Sequence, residues 1–172
     1  MDYLMDNITS DRLLFRKLVP NDFESWLSFH EDSSTSKYWS GLPQNPEQAC
    51  REDFERTFFR YRNNLGGKLA LIEKNTGIFI GLCGLLVLQI DDKQELEIAY
   101  SLLPKFWKQG FATEAAQKCK FYATKHKLAE SLISIIHIDN LPSQKVALNN
   151  HMKISSKTIY KGNSVYIFRV KI

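Results

Sequence analysis

Between residues 69 and 103 three apolar stretches, 69–73, 78–90 and 95–103, follow one another with only Asn75-Thr76-Gly77 and Asp91-Asp92-Lys93 between them. Connections that short join neighbouring antiparallel strands, because a parallel crossover needs a dozen residues or more. The region therefore reads as an antiparallel meander. Gly81 and Gly84 inside its long middle strand mark a bulge or a close approach of backbone. Directly afterwards, residues 112–126 place Ala112, Ala115, Ala116, Cys119, Tyr122, Ala123 and His126 on one helical face, the strongest helix signal in the chain.

The flanks supply the other elements. Residues 12–18 are rich in large apolar side chains and end at Pro20, as a first strand would. Asn21 or Asp22 then caps a short helix carrying Phe23, Trp26 and Leu27. A second helix starts at Asn45-Pro46, with Pro in its first turn and Cys50, Phe54, Thr57, Phe58 and Tyr61 on one stripe. Asn63-Asn64-Leu65-Gly66-Gly67 ends it. Later, 131–138 reads as a buried strand and 143–151 as a short helix. Residues 153–160 and 164–171 form a closing hairpin around Lys161-Gly162-Asn163. The order is β-α-α-β-β-β-α-β-α-β-β, a mixed α/β (α+β) arrangement with helices on a largely antiparallel sheet. At 172 residues the chain has the length of one domain spanning 1–172.

With 44% hydrophobic and 24% charged residues the chain is neither disordered nor a coiled coil. Its longest apolar run, 78–90, is interrupted by Gly81, Gly84 and Gln89 and is too short to span a bilayer. Met1-Asp2-Tyr3-Leu4-Met5-Asp6 has no basic region followed by an apolar stretch, so no secretory signal is expected and the location is read as cytoplasmic. Cys50, Cys83 and Cys119 show no metal-ligand spacing and read as reduced core residues, with no metal expected.

Charge divides the chain. Up to Ala99 there are 11 basic and 16 acidic residues; from Tyr100 onward there are 12 and 3, and no acid follows Asp139. This predicts an anionic ligand held by the second part. The lysines are scattered, without a basic run or recognition motif, which argues against nucleic acid.

The chemistry concentrates in Pro104-Lys105-Phe106-Trp107-Lys108-Gln109-Gly110-Phe111-Ala112-Thr113-Glu114-Ala115-Ala116. A strand ends at Leu103, a loop with one glycine follows, and the strong helix begins at once. Free N–H groups and the positive end of the helix dipole make such a start an anion site. Gly110 lets backbone come close to a phosphate, and Lys105 and Lys108 add charge. The segment has neither the GxxxxGK[ST] nor the GxGxxG nucleotide pattern.

From Ile8 to about His151 the chain resembles the GNAT superfamily of N-acetyltransferases, and within it the group named for the ribosomal-protein acetyltransferases RimJ and RimL. The last three positions of the family's Gln/Arg-x-x-Gly-x-Gly/Ala loop are matched by Gly110, Phe111 and Ala112, while Trp107 replaces the Gln/Arg. Ser10-Asp11-Arg12-Leu13-Leu14-Phe15-Arg16 resembles the group's first strand. The resemblance implies a GNAT-like fold and acetyl-CoA as cosubstrate. Its pyrophosphate would lie on the N–H groups of Lys108, Gln109, Gly110, Phe111, Ala112 and Thr113, and its pantetheine along the strand end at Tyr100, Leu102 and Leu103. Asp139-Asn140-Leu141-Pro142-Ser143-Gln144-Lys145-Val146 resembles the family's Asn-x-x-Ser-x-x-Val segment. By that resemblance Asn140 bonds the CoA arm and Ser143 lies near the sulfur as a donor to the departing thiolate; capping of the helix by Ser143 is the plain structural alternative. His151-Met152 stands where the family usually has Gly-Phe, which removes the easy left-handed cap.

Acetyl transfer to an amine requires a deprotonated nitrogen, a polarised carbonyl and a stabilised thiolate. On the alternating strand Glu95-Leu96-Glu97-Ile98-Ala99-Tyr100, Glu97 is the candidate base, being nearer the loop and matching the family's glutamate. Tyr100, His137 and His151 are weaker candidates, and the N–H of Leu102 or Leu103 is a candidate to polarise the carbonyl. Asp22, Glu24, Glu31, Asp32, Glu47, Glu52, Asp53 and Glu55 would form an acidic wall for an amine acceptor, either a peptide N-terminus or a small cation such as a polyamine or aminoglycoside. Trp26, Tyr38 and Trp39 would line its groove. A CoA-binding regulatory domain without turnover is the alternative function, and monomer and homodimer both remain open.

Overall fold

A computed structural model describes residues 2–90 and 92–172; Asp91 of the expected turn and Met1 of the expected N-terminal segment lie outside the described residues. The strands are β1 (Ile8–Thr9), β2 (Leu13–Arg16), β3 (Gly66–Glu73), β4 (Phe79–Ile90), β5 (Lys93–Leu102), β6 (Ser131–His137), β7 (Lys153–Tyr160) and β8 (Asn163–Lys171). The helices are α1 (Phe23–Glu31), α2 (Ser33–Ser36), α3 (Pro46–Arg62), α4 (Phe111–Lys125) and α5 (Leu141–Asn149). Two elements exceed the sequence expectation, the two-residue β1 and the one-turn α2. Neither is long enough to produce a periodic signal.

All strands join one sheet in the order β1-β2-β3-β4-β5-β6-β8-β7. Every adjacent pair is antiparallel except β5 and β6. The meander is as expected, and its glycines mark close approaches. A Cβ on Gly81 would stand 2.4 Å from the Ser101 carbonyl oxygen, and one on Gly84 only 2.1 Å from that of Gly67. The ladder between β3 and β4 also shifts register at Leu71/Ile72, opposite Phe79 and Gly81.

Alternation along the strands sends two apolar sets to opposite faces. Leu69, Leu71, Leu85, Leu96 and Ile98 pack under α4, against Ala115, Ala116 and Cys119. Ala70 and Leu82 face the other way, against Trp26, Cys50 and Phe54 of α1 and α3. On that second face Ile133, Ile135, Val165 and Ile167 pack with Leu88, Ile90 and Tyr160, so the tip of the β7–β8 hairpin folds over β4 and β6.

Cap chemistry sets the helix starts. Asn45 accepts from the Gln48 N–H and Pro46 opens α3, as the sequence predicts. Asp22 does not cap α1; its carboxylate turns back to the Val19 N–H at 2.9 Å and pairs with Arg16 at 2.7 Å. Nor is Ser143 the cap of α5. Asn140 is, accepting from the Ser143 N–H at 3.1 Å, which frees the Ser143 hydroxyl for another partner. At the far end of α5, His151 takes the left-handed conformation that a glycine would normally supply, with φ 63°. Its N–H donates to Leu148 and that of Met152 to Ala147, closing a Schellman turn without glycine.

Candidate active site

Among the described residues the one parallel contact in the sheet is also where the sheet opens. β5 and β6 meet at one register pair, Glu97 with Ile133, and then diverge. In a continuing parallel ladder the next bond would run from the Ile135 N–H to the Ile98 carbonyl. Two side chains replace it. The Glu97 carboxylate accepts from the Ile135 N–H at 3.4 Å, and the Ser134 hydroxyl donates to the Ile98 carbonyl at 2.9 Å. Satisfying both orphaned backbone groups lets the strands stay apart without leaving unpaired polar atoms in the core.

Backbone groups of β5 alternate between its two neighbours. The Leu103 N–H donates to Ile80 of β4, whereas the Ile98 carbonyl faces β6. By that alternation the N–H groups of Tyr100 and Leu102 turn into the opening. Leu103 does not: its N–H is occupied on β4, which removes it as a donor to a bound carbonyl. The Leu102 carbonyl is bonded by the indole N–H of Trp107 at 2.8 Å. The residue that departs from the loop pattern thus ties the loop to the strand end.

On the α4 side the opening is bordered by Tyr100 and Ser143. The tyrosine hydroxyl donates to the Ser143 carbonyl at 2.9 Å, and the serine hydroxyl donates to the tyrosine oxygen at 3.0 Å. Burial pushes the Tyr100 phenol well above its ordinary range, so it keeps its proton at neutral pH. Asn140 positions Ser143 through the cap.

Next to this pair, Lys108 and Gly110 both have positive φ, 60° and 82°, and Gly110 is the N-cap of α4. The first α4 bond runs from the Glu114 N–H to the Gly110 carbonyl. The N–H groups of Phe111, Ala112 and Thr113 therefore precede the ladder and point out of the helix start, where the dipole is positive. The Phe111 side chain itself is buried in the core. Asn150 at the end of α5 reaches the Thr113 carbonyl at 3.4 Å, which ties the two helices together beside the site.

A carboxylate in that first turn, Glu114, would work against an anion, yet it is fully engaged. It accepts from the Ser10 hydroxyl at 2.6 Å, from the Arg12 N–H at 2.8 Å and from the Arg12 guanidinium at 2.7 Å. Burial opposes its ionisation, but these three donors hold it below the usual carboxylate range. Arg12 also donates to the Gln109 carbonyl at 3.0 Å and lies over the Phe111 ring at 4.2 Å. The guanidinium therefore both neutralises Glu114 and braces the loop. Arg12→Ala is expected to cost about 1–2 kcal/mol in urea unfolding, the value of charged hydrogen bonds lost from a half-buried carboxylate. Arg12→Lys should recover only part of it, because an ammonium lacks the planar fork.

On the opposite face lies Glu97. Burial pushes its carboxyl up to about 7, against the pull of the Ile135 N–H and of Lys68, Arg60 and Lys161. At neutral pH it is thus divided between acid and base forms, as a general base should be. His137, at the end of β6 on the same face, lies beside Tyr38 and Trp39, with ring centroids 5.7 and 6.4 Å away, and accepts from the Asp139 N–H through Nδ1. His151 is exposed just past the end of α5.

One expectation fails here. Trp26 lines no groove; it is fully buried and donates to Asp53 at 2.8 Å. Three members of the expected acidic wall are paired within the chain. Asp22 pairs with Arg16, Glu47 with Arg51, and Asp53 lies 3.5 Å from Arg56 and 3.7 Å from Lys68. Burial opposes ionisation of Asp53, but Lys68 and its hydrogen-bond donors hold it well below the usual range. Sequence reading missed Ser134, Arg12 and Glu114. A lone serine within Leu132-Ile133-Ser134-Ile135-Ile136 was the available signal, and the Glu114–Arg12 pair spans 102 residues with none.

A sheet split between two parallel strands, with the free N–H groups of a helix start on one face and a buried carboxylate on the other, fits an enzyme that joins two substrates through the split. The chain is an acetyl-transferring enzyme and belongs to the GNAT family, whose acetyltransferase domain model matches residues 12–153. It is similar to YkkB of Bacillus subtilis, 29% identical over 160 residues that make up 91% of this chain and 90% of that one. Among solved structures it resembles an acetyltransferase from Agrobacterium tumefaciens, with TM-score 0.80, 20% identity and coverage of 96% and 94%. It also resembles RimL, a ribosomal α-N-protein acetyltransferase in complex with coenzyme A, with TM-score 0.74, 16% identity and coverage of 96% and 97%. Among the described residues no helix is long and apolar enough to cross a membrane.

Proposed function

We propose that residues 1–172 act as a single acetyl-CoA-dependent N-acetyltransferase domain that moves the acetyl group to a primary amine, a peptide N-terminus among the candidates, by direct attack in a ternary complex. The observation that carries this reading is the opening between β5 and β6, with Tyr100, Ser143 and the start of α4 on one side and Glu97 on the other. The pyrophosphate rests on the N–H groups from Lys108 to Thr113, with Lys105 and Lys108 adding charge. The amide of Asn140 faces the cofactor arm, and the pantetheine pairs with the free edge of β5 at Tyr100 and Leu102. The thioester carbonyl then meets the Leu102 N–H. Glu97 takes a proton from the incoming ammonium, the nitrogen attacks, and the C–S bond breaks. The Tyr100–Ser143 pair supplies the proton that the departing sulfur needs, the acylated nitrogen gives up its second proton to water, and the phenol regains its own from water. Coenzyme A bound to RimL supports the choice of cofactor. Free thiols at Cys50, Cys83 and Cys119 accord with a reducing, cytoplasmic setting.

The test is the melting temperature with and without acetyl-CoA, followed by CoA release across a panel of amines. At 100 times its dissociation constant a ligand adds about 2.7 kcal/mol of stability, so a clear upward shift is expected that adenine alone does not produce. No shift at millimolar acetyl-CoA would remove the cofactor from this chain. A shift without CoA release from any amine would instead favour a CoA-binding regulatory domain.

A further inference from the structure

The face that carries Glu97 also carries cations that the chain does not neutralise. Arg60, in the last turn of α3, reaches down to the sheet and donates through Nη2 to the carbonyls of Leu65 and Val87, at 2.8 and 2.7 Å. Its Nε–H is buried and has no acceptor, and among the described residues no carboxylate lies within ion-pair distance of it. Val87 follows Leu86, the β4 residue directly opposite Glu97. The guanidinium is therefore set beside the candidate base.

Across the cleft, the hairpin brings a second cation. Tyr160 packs against Leu88 and Ile90 on this same face, and Lys161 follows it at the exposed tip, 5.3 Å from the tyrosine ring. Lys68 of β3 lies on the face as well, but Asp53 is its partner at 3.7 Å. Of the acids that a cationic acceptor would use, Asp22 is held by Arg16, Glu47 by Arg51, and the buried Asp53 by Arg56 and Lys68. A guanidinium withdrawn from water without a counter-ion is costly, and an anion arriving beside it offsets that cost. Glu97 attracts this guanidinium at longer range but makes no ion pair with it.

We propose that the acceptor is a primary amine that itself carries an anionic group, a carboxylate or a phosphate, a few bonds from its nitrogen. The anionic group sits between Arg60 and Lys161, and the nitrogen faces Glu97. An amino acid, an amine phosphate or a peptide whose first residues are acidic has this shape; a polyamine does not. The inference rests on the acetyl-transfer reading and names its acceptor class.

The experiment compares matched acceptors with acetyl-CoA and the full chain. Glutamate is set against glutamine amide, ethanolamine phosphate against ethanolamine, and a peptide beginning Ser-Asp-Glu against one beginning Ser-Asn-Gln, with spermidine as the polycation. The anionic member of a pair is expected to show kcat/KM at least about tenfold higher, the size of one charged contact. Which pair shows the largest ratio identifies the anion's source. Arg60→Met, and the exposed Lys161→Met where Arg60→Met fails to fold, should erase the preference by raising KM for the anionic members. CoA release without an anionic preference, or a preference that survives both variants, overturns the inference and leaves acetyl transfer standing. The melting temperature of the CoA-bound protein with each N-acetylated product gives a readout free of turnover. A shift confined to anionic products and lost in the variants supports the site even where no CoA is released; neither release nor shift removes both readings.

Discussion

Replacing Glu97 by glutamine is expected to lower turnover at pH 7 by ~10²-fold or more, while the acetyl-CoA-induced rise in melting temperature stays as in the parent protein. Glutamine is the informative substitution because its carbonyl still accepts the Ile135 N–H that the carboxylate holds at 3.4 Å. The strand opening keeps its bond and loses only its base. In the parent protein the rate should rise with pH and level off near 7, where burial has placed the carboxyl, since only the ionised form takes a proton. The groups that set this value face Glu97 from four elements: Arg60 on α3, Lys68 on β3, Lys161 with Tyr160 in the hairpin, and the Ile135 N–H on β6. The variant should lack the inflection. An unchanged pH–rate profile would take Glu97 out of the mechanism.

Stability supplies a second readout with the sign fixed in advance. The folded carboxyl titrates near 7 and the unfolded one near 4.5, so the folded state binds the proton more tightly. Its contribution is fully present below pH 4.5 and is lost as pH rises through 7. Urea unfolding of the Glu97→Gln variant should therefore show a gain over the parent protein at pH 8 that fades toward pH 4.5. A structural carboxylate stabilised by its neighbours would give the opposite trend.

Local chemistry made much of this molecule legible from its sequence. The meander follows from turns too short for crossovers, α4 from its apolar stripe, and α3 from Asn45-Pro46. The loop before α4 was readable as a strand-to-helix turn from its one glycine, which caps α4 with φ 82°. What escaped depends on partners distant in the chain. The place of β6 beside β5 is recorded in one residue pair, Glu97 and Ile133, and nothing around either residue announces the other. Ser134 sits inside a buried apolar strand, and its partner, the Ile98 carbonyl, comes from another strand. Ser143 has every local mark of a helix cap, yet Asn140 takes that place and the serine hydroxyl turns to Tyr100. The acids of the first half read alike in the sequence, and only the structure shows that Asp22, Glu47 and Asp53 are paired with Arg16, Arg51, and Arg56 and Lys68.

Gly110→Glu is expected to abolish measurable acetyl-CoA binding, a loss of at least ~100-fold, while the protein stays folded. The position has φ 82°, in the left-handed region where a side chain costs about 1–2 kcal/mol, a fraction of the roughly 5–15 kcal/mol that holds a domain together. A Cβ there stands 3.3 Å from the Arg12 guanidinium, whose side chain is partly exposed and has room to move aside. The carboxylate matters more than the bulk. Placed at the N-cap of α4, it accepts from the same free N–H groups that would receive the pyrophosphate and draws Arg12 toward itself, so it satisfies the site internally. Repulsion of the cofactor's phosphates adds to that competition. Gly110→Ala carries the backbone strain without the charge and should weaken binding only a few-fold, about what strain of 1 kcal/mol allows. Calorimetric titration of both variants with acetyl-CoA separates the two effects. Full binding by Gly110→Glu would mean that the start of α4 does not hold the cofactor's phosphates.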